Sequence, residues 1–458
     1  MLKTYAAQLC VVVVVAFVFG CGQVTGQKTD AGGSGGDGQM GCTTTAQCSG
    51  ATPVCNTSSM VCVACTASEI GACAGTTPVC ATDNTCRACE AHSDCASNAC
   101  LPDGSCGTDT NVAFVDASAV GSTQCTRAMP CPQISAALAT NRPYIKVHGT
   151  IDESVSLTNR NVTFLADPGA ILKNSGNNGL TLGGSSHVEI YDLTISNSVT
   201  GINVPTGTTV SLFLSRAKVQ NNANGGIVME SGTLTVTRST IANNTGAGGI
   251  FSHNSVVSVT ASTLSGNSGG EAIIYYAGSL SVSRSTFVNN INGGISVSPT
   301  GTFSIVGNVF FGNGQTSGTT GGVTINTAQS AGNRLELNTF VGNRTSTSNA
   351  AAIQCTAGTF TARSNIMSGN MGGANQFSGT CLHAYSISRP GAVPTGTGNI
   401  ATDPMFVDDA AGNLHLKAGS PARGAGDPAS DLTGIAALDI DGDMRVSPPD
   451  IGADQFKP

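Results

Sequence analysis

Arg284-Ser285-Thr286-Phe287-Val288-Asn289-Asn290-Ile291-Asn292-Gly293-Gly294-Ile295 sets out one unit: a polar lead-in, an apolar anchor, an Asn three residues on, then two glycines and a branched aliphatic. The order of anchor and Asn occurs seven times between Arg216 and Asn370. The pairs are Val219 with Asn222, Ile241 with Asn244, Leu264 with Asn267, Phe287 with Asn290, Phe310 with Asn313, Phe340 with Asn343, and Met367 with Asn370. Successive asparagines lie 22, 23, 23, 23, 30 and 27 positions apart. A unit this short cannot bury its apolar face alone and must stack on its neighbours.

Each period holds three short runs that alternate with a period of two, as strands do. The anchor run is followed by a glycine-led run: Gly225-Gly226-Ile227, Gly248-Gly249-Ile250, Gly293-Gly294-Ile295 and Gly321-Gly322-Val323. A closing run completes the unit: Thr233-Leu234-Thr235-Val236, Val256-Val257-Ser258-Val259, Ser279-Leu280-Ser281-Val282 and Thr302-Phe303-Ser304-Ile305. Three strands of four or five residues with three turns use about 22 residues, one coil of a parallel β-helix. The expected fold is all-β, a solenoid of about ten coils, each rising about 4.8 Å, in a rod on the order of 50 Å long. Looser rungs without the Asn precede the repeats at Val162–Leu165, Ala170–Leu172 and Tyr191–Ile195, and the 30-residue interval predicts a longer loop around Gln315 to Ser330. The repeated Asn is expected at a corner, where it tolerates a left-handed backbone and its amide bonds to the amides above and below.

Phe287-Val288-Asn289-Asn290 followed by Gly293-Gly294-Ile295 resembles the FxxN and GGA(I/L/V) repeats of polymorphic outer-membrane proteins, and Phe310–Asn313 and Phe340–Asn343 repeat the first half. Val115-Asp116, then Cys131-Pro132-Gln133-Ile134, then Ile145-Lys146-Val147-His148-Gly149 resemble the amino-terminal cap of pectate-lyase-like right-handed β-helix proteins. That resemblance implies a right-handed helix. It is specific for fold and not for chemistry, because such proteins include lyases, esterases, glycosidases and adhesins.

The rest of the chain is read as delivery and mounting. Residues 1–20 form a leader: Lys3, then an apolar run from Cys10 to Gly20 too short to span a bilayer. Val18-Phe19-Gly20-Cys21 resembles a bacterial lipobox, which implies cleavage before Cys21, its acylation, and membrane contact through that group alone. Gly22 after the cysteine favours, by the same resemblance, the outer membrane. Residues 21–41 read as a flexible Gly-rich tether. Residues 42–107 hold 12 of the 18 cysteines in a repeat of about 24 residues. Cys62-x-x-Cys65 and Cys86-x-x-Cys89 would suggest a zinc ribbon in a cytosolic protein; in an exported chain an even number of cysteines points to disulfides. Cys125 with Cys131, and Cys355 with Cys381, are expected to pair within the solenoid, assigned to residues 111–400.

Few residues on the coils could carry chemistry. Between Thr200 and Asn370 the only acids are Glu230, Glu271 and Glu336, so the paired carboxyls of glycoside hydrolysis are missing. Counting alternation from Ile227, Ile250 and Ile273 places Glu230, His253 and Tyr276 in one outward column, continued by Ser298, Asn326 and Thr356. Such a column could supply acid, base and hydroxyl donor for β-elimination on an acidic sugar; exposed strand positions also accept such polar residues without function. Arg216, Arg238 and Arg284 form a second column, interrupted by Ala261, suited to a polyanionic glycan or simply to solubility.

Residues 401–458 are acidic, with ten aspartates against Lys417, Arg423, Arg445 and Lys457, leaving −6 of the chain's −7. This stretch resembles the carboxy-terminal cap of bacterial β-helix proteins and is expected to cover the last coil. Asp439, Asp441, Asp443 and Asp450 have a spacing that makes calcium a candidate, although Gly442 is misplaced for an EF-hand loop and no closing Glu follows. The coils lack a dense basic patch, which excludes nucleic acid as the expected partner. The reading is a monomeric, surface-anchored rod that binds envelope or extracellular polysaccharide; a polysaccharide lyase and a purely structural envelope protein are the alternatives. The absence of Trp weakens both sugar-handling readings.

Overall fold

The computed structural model describes residues 41–327, 332–373 and 376–458. The leader, Cys21 and the tether up to residue 40 lie outside the described residues, as do positions 328–331 of the expected long loop. No helix among the described residues is long and apolar enough to cross a membrane.

The anchors pile up as the repeat requires. Val219, Ile241, Leu264, Phe287, Phe310, Phe340 and Met367 pair one above another in parallel register. All seven are fully buried. They belong to an eleven-stranded parallel sheet running from Thr150–Asp152 to Ile387–Arg389. Phe287, Phe310 and Phe340 stack at 4.6 and 4.7 Å between ring centroids, with planes within 11° of parallel. Each fully buried anchor contributes on the order of 2 kcal/mol, and only while its neighbours stay in register.

The glycine-led and closing runs form the other two walls. Ile202, Ile227, Ile250, Ile273 and Ile295 make one inward file, and Leu214, Val236, Val259, Val282 and Ile305 another. The two walls merge into one 20-stranded sheet, because Ile273–Ser283 and Ile295–Val306 run through the corner as single strands. A register shift between Tyr275 and Ala277 makes the bend.

Two corners are held by polar ladders. At the first, the Asn222 Nδ2 donates to Asn244 Oδ1 at 2.9 Å, and the pattern continues through Asn267, Asn290, Asn313, Asn343 and Asn370. Each Oδ1 also accepts the backbone N–H of the Asn one coil before it. Gln376 closes the series by accepting both donors of Asn370 at 2.9 Å. The expectation of a left-handed backbone at these asparagines is corrected. The left-handed residue is the one before: Asn221, Asn243, Gly266, Asn289, Gly312, Gly342 and Gly369. The ladder residue itself must turn its amide inward, so its predecessor takes the turn.

The second ladder was not read from the sequence. Backbone N–H groups of Ser239, Ser262, Ser285, Asn308, Asn338 and Asn365 donate to the side-chain oxygen one coil on, ending at Ser386. These residues stand two before each anchor. Their predecessors are again left-handed: Arg238, Ala261, Arg284, Gly307, Leu337, Ser364 and Tyr385.

The first coil is sealed by a loop closed by Cys125–Cys131. Phe114 N–H donates to Cys125 O, while Cys131 N–H donates to Phe114 O, both at 2.9 Å, so the exposed edge of Val112–Asp116 is occupied. Cys355–Cys381 joins two late coils within the apolar interior. The acidic segment does not sit over the last coil as expected. Ser388 N–H donates to Ile400 O at that coil, and residues 401–458 then run back along the flank. There Phe406, Leu414, Leu416, Ala422 and Ile451 bury outward-facing Val309, Phe311, Val341, Ile366 and Ile387. The physical reason is apolar: these outward residues need covering more than the coil end does.

The twelve cysteines of 42–106 form six disulfides in three modules: Cys42–Cys55 with Cys48–Cys62, Cys65–Cys80 with Cys73–Cys86, and Cys89–Cys100 with Cys95–Cys106. Each CxxC therefore spans a module boundary, and none of its thiols remains for a zinc ribbon.

Candidate functional site

Glu230, His253 and Tyr276 come together on the outer face, whereas a register shift after Ile325 pairs Asn326 with Ala357 and not with Thr356. His253 Nδ1 lies 3.4 Å from Glu230 Oε2, and its ring meets Tyr276 edge-on with centroids 6.1 Å apart. Phe251 packs against Tyr276 at 5.5 Å. The three sit where the glycine-led wall bends into the closing wall, and Tyr276 is 40% exposed. Of the coil acids, Glu271 is raised from its ordinary value by burial, while its Oε1 accepts from Thr320 at 3.1 Å. Glu336 is buried against Arg334. Each acid has its own partner, which leaves β-elimination at His253 as the chemistry the column can offer.

The arginine column divides. Arg216 clasps Asp192 through Nε and a terminal nitrogen, both at 2.8 Å, and lies 5.9 Å from the Tyr191 ring centroid. Arg284 is drawn away, its Nε donating to Asp439 O at 3.1 Å. All three arginines hold left-handed corners before the second ladder, with φ of 54°, 48° and 50°, so their column is fixed by the turn.

Arg216 and Arg238 both reach a groove of about 950 Å³ between the third disulfide module and the early coils. The module docks by burying Ala99 and Leu101 against Val112, Phe114 and Leu165 beside Tyr144 and Tyr191. One wall holds Glu90, His92 and Leu101; the other holds Asp167, Tyr191, Phe213, Arg216, Lys218 and Arg238. Tyr191 and Phe213 form a tilted pair at 5.6 Å. Burial, with Glu189 adding, pushes the Tyr191 phenol up to about 12. Burial also pulls the His92 imidazole down, and the Lys146 charge adds to it. Lys146, 2% exposed, is lowered by burial and bonded to Asp167, which also holds His148 at 3.0 Å. Sequence reasoning missed this groove, because the aromatic wall and the module that faces it are far apart in the chain. Tyr191 and Phe213 on outward positions of successive coils were its one visible sign.

The four aspartates proposed for calcium do not form one ligand set. Asp439 Oδ1 accepts the backbone N–H groups of Asp441 and Asp443, and its Oδ2 accepts that of Gln455. Asp450 accepts from Gly424 and Phe456. Asp443 pairs with Lys457, and Asp441 with His415 at 2.9 Å. A buried cation is already built in: the Arg445 charge is favoured by Asp439, Asp450 and Asp454, although burial lowers it to about 10.

A family model described as "Right handed beta helix region" matches residues 178–340, and one described as "Family of unknown function (DUF8331)" matches residues 20–112. No curated protein matches the chain. Among solved structures, that of pectate lyase Pel9A aligns at 13% identity and a TM-score of 0.49, covering 76% of this chain and 96% of that one. Register, corner ladders and family match agree that this is a right-handed parallel β-helix repeat protein with an amino-terminal disulfide-rich region.

Proposed function

We propose that the protein is a β-helix lipoprotein, acylated at Cys21 and displayed from the outer membrane, that binds acidic envelope or extracellular polysaccharide without cleaving it. The observation that carries this reading is the junction groove, where the Tyr191–Phe213 pair lies beside Arg216, Lys218 and Arg238. Aromatic faces pack against sugar C–H surfaces, while guanidinium groups take carboxylates or sulfates in two-point contacts. The Arg238 guanidinium makes no hydrogen bond or ion pair among the described residues, so its donors are free for a ligand.

A glycan array followed by calorimetry tests it. Uronate-rich or sulfated polymers are expected to bind, with affinity at least tenfold weaker in Arg238→Glu and Tyr191→Ala and unchanged in Lys173→Glu. An array with no retained glycan removes the proposal. The second reading, a polysaccharide lyase, rests on the 3.4 Å contact between His253 and Glu230 beside Tyr276. Incubation with uronic-acid polymers would give ultraviolet-absorbing unsaturated ends that disappear in His253→Ala. If no polymer gives product, the column is structural.

A further inference from the structure

The flank segment brings three side chains together from separate stretches. His415 comes from the strand Asn413–Leu416, Asp441 from the turn held by Asp439, and Asp454 from the terminal stretch. One ligand-type atom from each lies within 4.8 Å of the other two.

Hydrogen bonding fixes what the imidazole can do. Asn413 Oδ1 accepts the backbone N–H of His415 at 3.3 Å, which orients the amide with its oxygen toward the ring. The same oxygen lies 2.6 Å from Nδ1, so Nδ1 carries the proton. In the neutral ring, Nε2 then presents a lone pair. It faces Asp441 Oδ2, a second acceptor, at 2.9 Å. Two acceptors at that distance need a cation or a proton between them.

Asp454 supplies an independent sign. It is 8% exposed. Its Oδ2 accepts the Leu416 N–H at 2.7 Å, and its Oδ1 has no hydrogen bond among the described residues. Burial works against its charge, which Arg445 helps to hold, and Oδ1, not fully shielded from solvent, stays open to a ligand on the side of His415 and Asp441.

We propose that His415 Nε2, Asp441 and Asp454 bind a divalent transition-metal ion, for which zinc is the best match. One imidazole and two carboxylates give three protein ligands and leave a fourth position, on the solvent side of the exposed His415 and Asp441, for water. The nitrogen donor favours zinc over calcium or magnesium, which prefer oxygen alone. Asn413 is the outer partner that sets the tautomer, as such partners do around metal-bound histidine. The ion would pin three stretches of the flank segment together. This inference is independent of glycan binding.

The test uses the full chain with its disulfides intact, stripped with chelator and titrated with zinc by calorimetry and with cobalt by visible absorption. One ion per chain is expected, with cobalt bands in the range of four- or five-coordinate sites. His415→Ala and Asp441→Asn, both exposed positions, should each weaken zinc by more than tenfold. Asn413→Ala should weaken it by roughly tenfold, and Asp443→Asn should not. If zinc gives no saturable binding at micromolar concentration, the contact is a protonated imidazole on a carboxylate and the proposal fails. Binding unchanged in His415→Ala and Asp441→Asn would place the metal elsewhere and also overturn it.

Discussion

Asn267 shows what one residue does inside a ladder. Its Oδ1 accepts the N–H and the Nδ2 of Asn244, and its own Nδ2 donates to Ile241 O and Asn290 Oδ1. Asn267→Ala strands several buried groups at once, each costing about 1–3 kcal/mol. The net loss is expected to be roughly 3 kcal/mol or more by urea unfolding; a change below about 1 kcal/mol would mean the ladder is decorative. Ala261 sits in the left-handed corner between Arg238 and Arg284. Ala261→Gly relieves that conformation and should stabilise the chain by about 0.5–1 kcal/mol. His383 is buried with neither ring nitrogen hydrogen-bonded, and burial pulls it down to about 4. The unfolded imidazole titrates near ~6.5, so its contribution is complete above that pH and is lost as pH falls toward 4, by roughly 3 kcal/mol. His383→Leu should flatten the stability profile between those limits, and an unchanged acid slope would contradict this assignment.

The anchors and the first ladder were legible because one periodicity fixed both: an apolar residue and an Asn at constant offset admit one stacked register. The second ladder is as regular, at two positions before each anchor, but it mixes serine with asparagine, so no single residue type repeats to mark it. The continuous strands at Ile273–Ser283 and Ile295–Val306 were hidden for a related reason. A corner that bends within a strand leaves no break in alternation. Disulfide pairing within 42–106 could not be read, since spacing alone allows many connectivities. Cys355–Cys381 closes a separation of 26 residues across two coils. Replacing both cysteines by alanine should cost roughly 3–4 kcal/mol by the loop-entropy argument, measured by denaturant unfolding, with a lower midpoint and a steeper slope as the unlinked unfolded chain expands.

Across the whole molecule, the rod itself was foreseeable, and what lies against it was not. The flank segment and the third disulfide module both dock on outward-facing apolar positions, Phe311 and Val341 in one case and Phe114 and Leu165 in the other. Outward apolar residues in a solenoid sequence look like lapses in alternation until their cover is seen. The groove therefore exists only because the module docks. Leu101→Asp should loosen the module, raising amide exchange in residues 89–106 and weakening glycan binding while leaving the coils' unfolding midpoint nearly unchanged. Exchange that stays slow in that variant would show that the disulfides alone hold the interface.

Every amide of the Asn222–Asn370 series hands one of its two protons toward the carboxy-terminal neighbour's side chain. The stack is thus a vector, with a donor, the Ser198 N–H, supplied at its beginning and an acceptor, Gln376, supplied at its finish. Such a lattice grows by whole modules: duplicating 23 residues preserves the direction of every bond, whereas inserting a single residue reverses the facing of all that follow within its strand. Evolution can lengthen the rod only by whole turns, while shorter insertions, as in the 30- and 27-residue intervals, are confined to the loops.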